Sequence, residues 1–178
     1  AKFHPIARLV VHDAAFEQTY HLDVTHLEPM VAYPHEVGNV RPISQAETLP
    51  IDQAFVGSCT GGRFEDLAIA AEIVKGKKVH PQVRMIVIPA SMEVYKKSLE
   101  AGLLAAFIDA GAILCGPACG PCNGSNLGVL AAGERCISAS NRNFRGRMGS
   151  PESEVYLASP ATVAASAITG VITDPREI

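Results

Sequence analysis

Cysteines in glycine-rich turns are the residues of this sequence best suited to chemistry. Cys59 lies in the run GSCTGG, and Cys119 and Cys122 lie in the run GPACGPC. A thiolate acts as a nucleophile, a redox group or a metal ligand. Glycine lets the backbone approach a bulky inorganic group, and successive amide N–H groups in such turns can point at anionic atoms. The two runs therefore predict a redox or metal centre.

The spacing of Cys119 and Cys122 alone leaves several kinds of site open. A C-x-x-C pair occurs in redox dithiols, where a helix starts at the first cysteine, and in halves of zinc sites, which need four ligands. Cys115, four residues before Cys119, could supply a further zinc ligand. Otherwise we expect Cys115 and Cys136 to lie in strands as small buried hydrophobic side chains.

Strand and helix patterns alternate from residue 51 onward. Short apolar runs predict strands, and apolar residues at helical spacing predict helices. The predicted strands are 53–57, 83–88, 112–115, 135–138 and 155–158, and the predicted helices are 64–75, 92–101 (with Ser91 as N-cap), 103–110, 125–132 and 161–168. This alternation predicts an α/β fold, a three-layer α/β/α sandwich around a mostly parallel sheet. Ligands of such sheets gather beyond the carboxyl ends of the strands, and the cysteine runs follow the first and third of these strands.

The first fifty residues differ from the rest and predict an extended N-terminal arm (1–50) that packs on the α/β domain (51–178). Five prolines interrupt this arm, and only Ala7–Val11 and Phe16–Val24 have the pattern of short strands. Because no methionine starts the sequence, we expect a processed or trimmed chain, or a piece of a longer one. The histidines lack ligand-like spacing, so we expect them in loops or at the surface: His4, His12, His21, His26, His35 and His80.

The composition argues against several classes of protein. The 178 residues are 48% hydrophobic and 19% charged, with a net charge of −3, as in an ordinary globular domain. This charge offers no basic field for nucleic acid, and no apolar run approaches the roughly 20 residues that span a membrane. The first ten residues also lack a secretory signal pattern. Five unevenly spaced cysteines do not suggest a disulfide framework, so we expect reduced thiols in the cytoplasm.

Three motifs together resemble those of the aconitase superfamily. They are VGSCT at 56–60, GPACGPC at 116–122 and SNRNFRGR at 140–147, in the family's order and with about its separations. The resemblance covers residues 51–178 well and the first fifty residues more loosely. Within the superfamily, the sequence is most similar to the large subunits of 3-isopropylmalate dehydratase and its relatives, homoaconitase and 2,3-dimethylmalate dehydratase. Gly61 departs from the pattern, because many relatives carry Asn there, but no ligand is lost.

The resemblance implies a [4Fe–4S] cluster held by Cys59, Cys119 and Cys122. Most such clusters have four thiolate ligands and transfer electrons. Three ligands leave one iron free to act as a Lewis acid on a substrate hydroxyl. The implied enzyme is a hydro-lyase that isomerises a hydroxy di- or tricarboxylic acid by dehydration and rehydration. The first choice of substrate is 3-isopropylmalate, in leucine biosynthesis, and the alternatives are homoaconitate and 2,3-dimethylmalate.

The carboxylates of such a substrate imply cationic partners in the third motif. Arg142 and Arg147 are expected to bind them, because a guanidinium pairs with a carboxylate through two hydrogen bonds. Asn141 is expected to support the cluster or the substrate through its amide. Arg145 points the other way if the segment is extended, so a solvated charge is expected there. No role is assigned to Asn123.

No catalytic acid or base of the family is matched in this chain. The resemblance implies that these groups come from an upstream part of the large subunit and from a small subunit that carries a swivelling domain. We therefore expect little or no turnover from the chain alone. Two interpretations of another class stay open: a structural zinc or redox module, and a non-catalytic fragment that docks on other chains. Neither nucleic acid nor a membrane is an expected partner.

Overall fold

The computed structural model describes Ala15 and residues 17–178, and these residues form seven strands and five helices. The strands are β1 (Met30–Ala32), β2 (Val40–Pro42), β3 (Gln53–Gly57), β4 (Arg84–Ile88), β5 (Ile113–Leu114), β6 (Arg135–Ser138) and β7 (Glu154–Ala158). The helices are α1 (Ser58–Gly61), α2 (Phe64–Val74), α3 (Met92–Glu100), α4 (Leu103–Ala110) and α5 (Pro160–Thr169). Short 3₁₀ turns cover Ile43–Gln45, Gly120–Asn123 and Pro175–Glu177. None of the described helices combines the length and the apolar character needed to cross a membrane.

The seven strands form one sheet in the order β2-β1-β7-β6-β3-β4-β5. The strands β7, β6, β3, β4 and β5 are mutually parallel, and β1 pairs antiparallel with β7 on one side and with the edge strand β2 on the other. The register sets Gly57 beside Ile88, so β3 and β4 end at the same level. The structure therefore confirms the predicted α/β fold with a mostly parallel sheet.

Alternate side chains of the inner strand β3 fill two cores. Ala54 and Val56 belong to the larger core, which helices α2, α4 and α5 cover. Phe55 lies on the opposite face of the sheet and belongs to a second core, because successive side chains of a strand point to opposite faces. The cover of this second core comes from the loops 115–134 and 139–153. These loops contain two of the three motifs, so packing against the sheet determines their shape.

The predicted helix over 125–132 is wrong, because this segment makes bends instead. Leu127 has a φ of 51° and Gly128 a φ of 104°, and neither value belongs to a right-handed helix. The carbonyl of Gly128 also accepts a hydrogen bond from Gln53 Nε2 of β3 at 2.9 Å. The buried side chain of Gln53 thus binds a backbone carbonyl that a helix would have used for its own hydrogen bonds.

The N-terminal part differs from its prediction in two places. The strand expected at Phe16–Val24 is wrong for residues 17–24, which form no strand, whereas Phe16 and Ala7–Val11 lie outside the described residues. Strands β1 and β2 form where an extended loop was expected, and Val31 of β1 pairs with Ala158 of β7. Strand β7 is far from β1 in sequence and β2 pairs only with β1, so the local pattern gave little signal for either strand. The division into 1–50 and 51–178 stays a prediction.

Candidate functional site

The first cysteine turn, residues 57–62, follows β3 through a sharp change of backbone direction. Gly57 lies so close to β4 that an added Cβ would be 2.8 Å from the Ile88 carbonyl oxygen. Ser58 has a φ of 65°, in the left-handed region, and is only 1% exposed. The next residue, Cys59, is exposed on α1. The turn therefore presents a thiol beyond the carboxyl end of β3.

The second cysteine loop, residues 115–124, follows β5. The backbone N–H of Cys115 donates to the Val87 carbonyl at 3.0 Å, which fixes the start of the loop on β4. Cys119 directly precedes the 3₁₀ turn that contains Cys122, and the Cys122 N–H donates to the Cys119 carbonyl at 3.2 Å. Cys119 is exposed, whereas Cys122 is only 6% exposed. One tight turn therefore carries one accessible thiol and one buried thiol.

Both cysteine segments rest on the same residue, Ile88 at the end of β4. An added Cβ at Gly62 would collide with the Ile88 carbonyl oxygen, and one at Gly120 would collide with the Ile88 side chain. The backbone N–H of Ala90 also donates to the Gly62 carbonyl at 2.8 Å. The structure therefore brings the two segments to one edge of the sheet.

The described residues do not, however, hold three His, Cys, Asp or Glu side chains grouped so that they could hold a metal ion. Cys59, Cys119 and Cys122 are all free thiols. Their assignment as one ligand set stays a prediction.

The arginine loop, residues 139–147, touches both cysteine segments. An added Cβ at Gly61 would collide with the Ala139 carbonyl oxygen, and one at Gly124 would lie 2.9 Å from the Arg147 carbonyl oxygen. Arg147 Nη2 donates to Cys122 Sγ at 3.4 Å. The Arg147 Nε is buried and has no partner among the described residues. A guanidinium with an unused donor thus lies directly beside one of the candidate ligands.

The other polar residues of the arginine loop are not gathered around Cys122. Asn141 and Arg142 are exposed, and Arg142 Nη1 donates to the Asn141 carbonyl at 2.6 Å. Arg145 is exposed and donates to the Pro151 carbonyl at 3.3 Å. The structure therefore brings Arg147 to the cysteines and leaves the guanidinium of Arg142 at the surface.

Asn143 is a residue of this loop that the sequence did not single out. It is 0% exposed, and its Nδ2 donates to the Tyr33 carbonyl at 2.8 Å. A hydrogen bond between Ser138 and Ser140 side chains, 2.8 Å long, holds the start of the same loop. Ser140 and Asn143 lie in the third motif, but the motif does not indicate these contacts, because the partner of Asn143 is a backbone carbonyl 110 positions away.

Two further cysteines lie outside the three motif positions. Cys136 is fully buried in β6, as expected, and burial raises the pKa of its thiol to about 12. The same expectation is wrong for Cys115, which lies one residue beyond the short strand β5 and is only half-buried, although its partial burial still raises the pKa of its thiol. In both cases the shift favours the protonated thiol, which disfavours a role as a thiolate ligand. Asn123 uses its Oδ1 to accept hydrogen bonds from the backbone and side chain of Ser125, at 3.2 and 2.7 Å.

The described histidines add no ligand to the site. His21 and His26 are exposed, and His35 and His80 are half-buried. None of these four belongs to a group that could hold a metal ion.

Comparisons with known proteins assign a family to this arrangement. The sequence model of the Aconitase family (aconitate hydratase) matches residues 41–170. Over 164 residues, 92% of the chain, the sequence is 60% identical to the 3-isopropylmalate dehydratase large subunit 1 of Methanopyrus kandleri. It is 57% identical to the 3-isopropylmalate dehydratase large subunit of a Hydrogenobaculum species over 93% of the chain. It is 56% identical to the probable methanogen homoaconitase large subunit of Methanothermobacter thermautotrophicus, again over 93% of the chain.

In each of these three cases, the match covers 39% of the relative. The chain thus spans about two fifths of the length of the curated relatives that it matches. The matched residues include the first cysteine turn, the second cysteine loop and the arginine loop. The chain belongs to the aconitase family.

Proposed function

We propose that the chain is the cluster-bearing part of a hydro-lyase that isomerises a hydroxy di- or tricarboxylic acid by removing and re-adding water. The observation that carries the proposal is the contact between Arg147 and Cys122, because it joins a carboxylate-binding cation to a candidate metal ligand. Most of the relatives named above are 3-isopropylmalate dehydratase large subunits. We therefore take 3-isopropylmalate as the substrate, in the biosynthesis of leucine. Homoaconitate is the second candidate, favoured by the name of one relative.

The residues present fit a [4Fe–4S] cluster with three protein ligands, Cys59, Cys119 and Cys122. All three are free thiols in segments that rest on Ile88. Ser58 Oγ and Arg147 Nε are buried polar atoms without a partner among the described residues, and each lies in a segment that borders the thiols. Such orphaned groups in a native fold call for an additional partner. When bound, the cluster would supply an iron with an open coordination position, which acts as a Lewis acid on the substrate hydroxyl.

The other roles that we propose follow from charge and position. Arg142 and Arg147 bind the substrate carboxylates, which need permanently charged, geometrically fixed partners. Asn141, exposed beside Arg142, supports the cluster or the substrate through its amide. We assign no catalytic acid or base to this chain. Those groups come from the remainder of a large subunit and from a small subunit with a swivelling domain, and the relatives are themselves named large subunits.

Metal analysis of Cys119→Ser tests the cluster. After anaerobic reconstitution with iron and sulfide, we expect the parent chain to hold iron and acid-labile sulfide and Cys119→Ser to lose both. The circular dichroism of the variant should match that of the parent, because Cys119 is exposed in a loop. Cys115→Ser is the matched control and should keep the cluster. Stoichiometric zinc without sulfide would contradict the proposal and favour a zinc module.

An activity measurement tests the need for partners. We expect no turnover of 3-isopropylmalate by the chain alone, because the proposed ligands and carboxylate-binding groups here include no acid or base for proton transfer. Assembly with the remaining large-subunit segments and the small subunit should give the alkene diacid, which is followed by its ultraviolet absorbance. An assembled enzyme without activity would favour a non-catalytic docking fragment.

A further inference from the structure

We propose that Asn143 is a positioning residue, which holds the arginine loop in place for substrate binding by tying it to the β1–β2 turn (33–39). This inference rests on the proposed function, since it concerns how the carboxylate-binding arginines are held. Asn143 itself lies inside the fold at 0% exposure and has no direct access to a ligand. It therefore acts through its neighbours.

The tether is a buried hydrogen bond between distant parts of the chain. Asn143 Nδ2 donates to the Tyr33 carbonyl at 2.8 Å and lies 3.5 Å from the Glu36 carbonyl oxygen. Both acceptors belong to the turn between β1 and β2. A buried carbonyl that loses its donor cannot regain one from water, so breaking the tether leaves unsatisfied groups on both segments.

The anchor of this tether is itself fixed to the sheet. The Tyr33 N–H donates to the Asn39 carbonyl at 2.8 Å, which closes the turn. The Tyr33 ring packs edge-on against Tyr156 of β7, with ring centroids 5.1 Å apart, and Arg41 lies 4.1 Å above it. The preceding strand β1 pairs with β7. The Tyr33 carbonyl is therefore a rigid reference point for the arginine loop.

Arg142 depends on this reference point more than Arg147 does. Arg147 has a contact of its own with Cys122, and its N–H donates to the Phe144 carbonyl at 2.9 Å. The guanidinium of Arg142 is exposed and bonds the carbonyl of its immediate neighbour. This bond ties the Arg142 side chain to no distant element. The direction of that side chain therefore depends on the backbone of the arginine loop, which the next residue, Asn143, holds in place. Loss of the tether should therefore weaken carboxylate binding and leave the cysteine segments unchanged.

The test compares variants in the assembled enzyme with 3-isopropylmalate as the substrate. Asn143→Asp keeps the shape but replaces the donor with oxygen, and Asn143→Ala removes it without adding a buried charge. Ser166→Ala is the matched control, because Ser166 is also fully buried and donates to a backbone carbonyl, that of Thr162, at 2.7 Å. It lies in α5, outside the arginine loop.

We expect both Asn143 variants to raise KM about tenfold, with a much smaller change in kcat, because a ground-state carboxylate contact is weakened. Their iron and sulfide contents should equal those of the parent enzyme. Hydrogen exchange should become faster in residues 139–147. Ser166→Ala should lower the unfolding midpoint and leave KM unchanged.

Four results would overturn the proposal, in whole or in part. Unchanged exchange in 139–147 would show that Asn143 does not tether the loop. Faster exchange with an unchanged KM would show that the tether has no role in binding. An equal rise of KM in Ser166→Ala would point to general destabilisation. A parent enzyme that holds iron and sulfide but has no turnover would overturn the proposed function and the binding role together, whereas the exchange measurement would still report on the tether.

Discussion

At the residue scale, Ser58 is the most strained position of the candidate site. A non-glycine residue in the left-handed region costs about 1–2 kcal/mol relative to the right-handed one, and Ser58 lies there with a φ of 65°. Its hydroxyl is also buried without a partner among the described residues. Strain of this kind is concentrated at functional sites, where the surrounding structure holds it. Here it lets the chain turn from β3 directly into the residue that carries the first candidate thiol.

Replacing Ser58 by glycine should therefore stabilise the metal-free chain. We expect Ser58→Gly to raise the free energy of unfolding by about 1 kcal/mol, since relief of the left-handed backbone exceeds the entropy cost of glycine. Denaturant unfolding measures the change. Leu127→Gly is a second test: Leu127 also has a positive φ, so glycine should relieve its backbone in the same way, less the stability lost with its partly exposed leucine side chain. A destabilised Ser58→Gly would mean that the hydroxyl has a partner in solution.

The cysteines should also differ in reactivity in the metal-free chain. At about pH 8, a thiol with a pKa of about 12 is ionised to about one part in ten thousand, so Cys136 should resist alkylation. Cys59 and Cys119 are exposed and should react first. Mass spectrometry of peptides after timed alkylation measures the order. All five cysteines should react in denaturant, and early labelling of Cys136 in the folded chain would contradict the buried position of β6.

At the element scale, helix α3 shows how much a local signal decides. Ser91 was expected as its N-cap, and its Oγ accepts a hydrogen bond from the Val94 N–H at 3.2 Å. Glu93 in the first turn adds a favourable charge near the positive end of the helix dipole. Cap and carboxylate both act within one turn, so sequence alone is enough to place the start of this helix.

Removal of this cap should cost stability. We expect Ser91→Ala to lower the free energy of unfolding by about 1 kcal/mol, because the Val94 N–H loses its acceptor. Ser91→Asp keeps an acceptor and should stay close to the parent. Thermal and denaturant unfolding measure both variants, and equal losses in the two would show that the cap hydrogen bond is not the cause.

At the scale of the whole molecule, an ion pair links the sheet to the loop that covers its second face. Arg84 of β4 bonds Glu134, just before β6, with an N–O distance of 2.8 Å. The hydrogen bond from Arg84 holds the pKa of Glu134 below its usual range. A carboxyl with a lower pKa in the folded state adds stability above its unfolded pKa and loses it as the pH falls through the folded value. Acid should therefore loosen this connection.

Unfolding at two pH values tests the ion pair. At about pH 7, Glu134→Gln should lower the free energy of unfolding by about 0.5–1 kcal/mol, as is usual for partly exposed pairs. At about pH 3, the difference from the parent should shrink, because Glu134 becomes protonated in the parent as well. Glu100→Gln is the control, since its pair with Lys96 is exposed and 3.8 Å long. A loss for Glu134→Gln that does not depend on pH would assign the effect to packing instead.

The sequence by itself determined the parts whose causes are local. Short apolar runs placed the parallel strands, helical spacing placed α2 to α5, and neighbouring residues in three motifs indicated the family, to which the chain belongs. The same motifs named the candidate ligands and arginines. Their roles stay predictions, because a motif states which residues lie near each other in sequence and not which side chains meet.

Only the tertiary structure decided the parts whose partners are distant. Strand β1 forms because it pairs with β7. The helix expected at 125–132 is absent because the Gly128 carbonyl accepts a hydrogen bond from Gln53 on the sheet. The tether made by Asn143 follows only from the structure, in which its Nδ2 lies 2.8 Å from the Tyr33 carbonyl oxygen. The physical reason is common to all three: a hydrogen bond between segments far apart in sequence leaves no periodicity in either one.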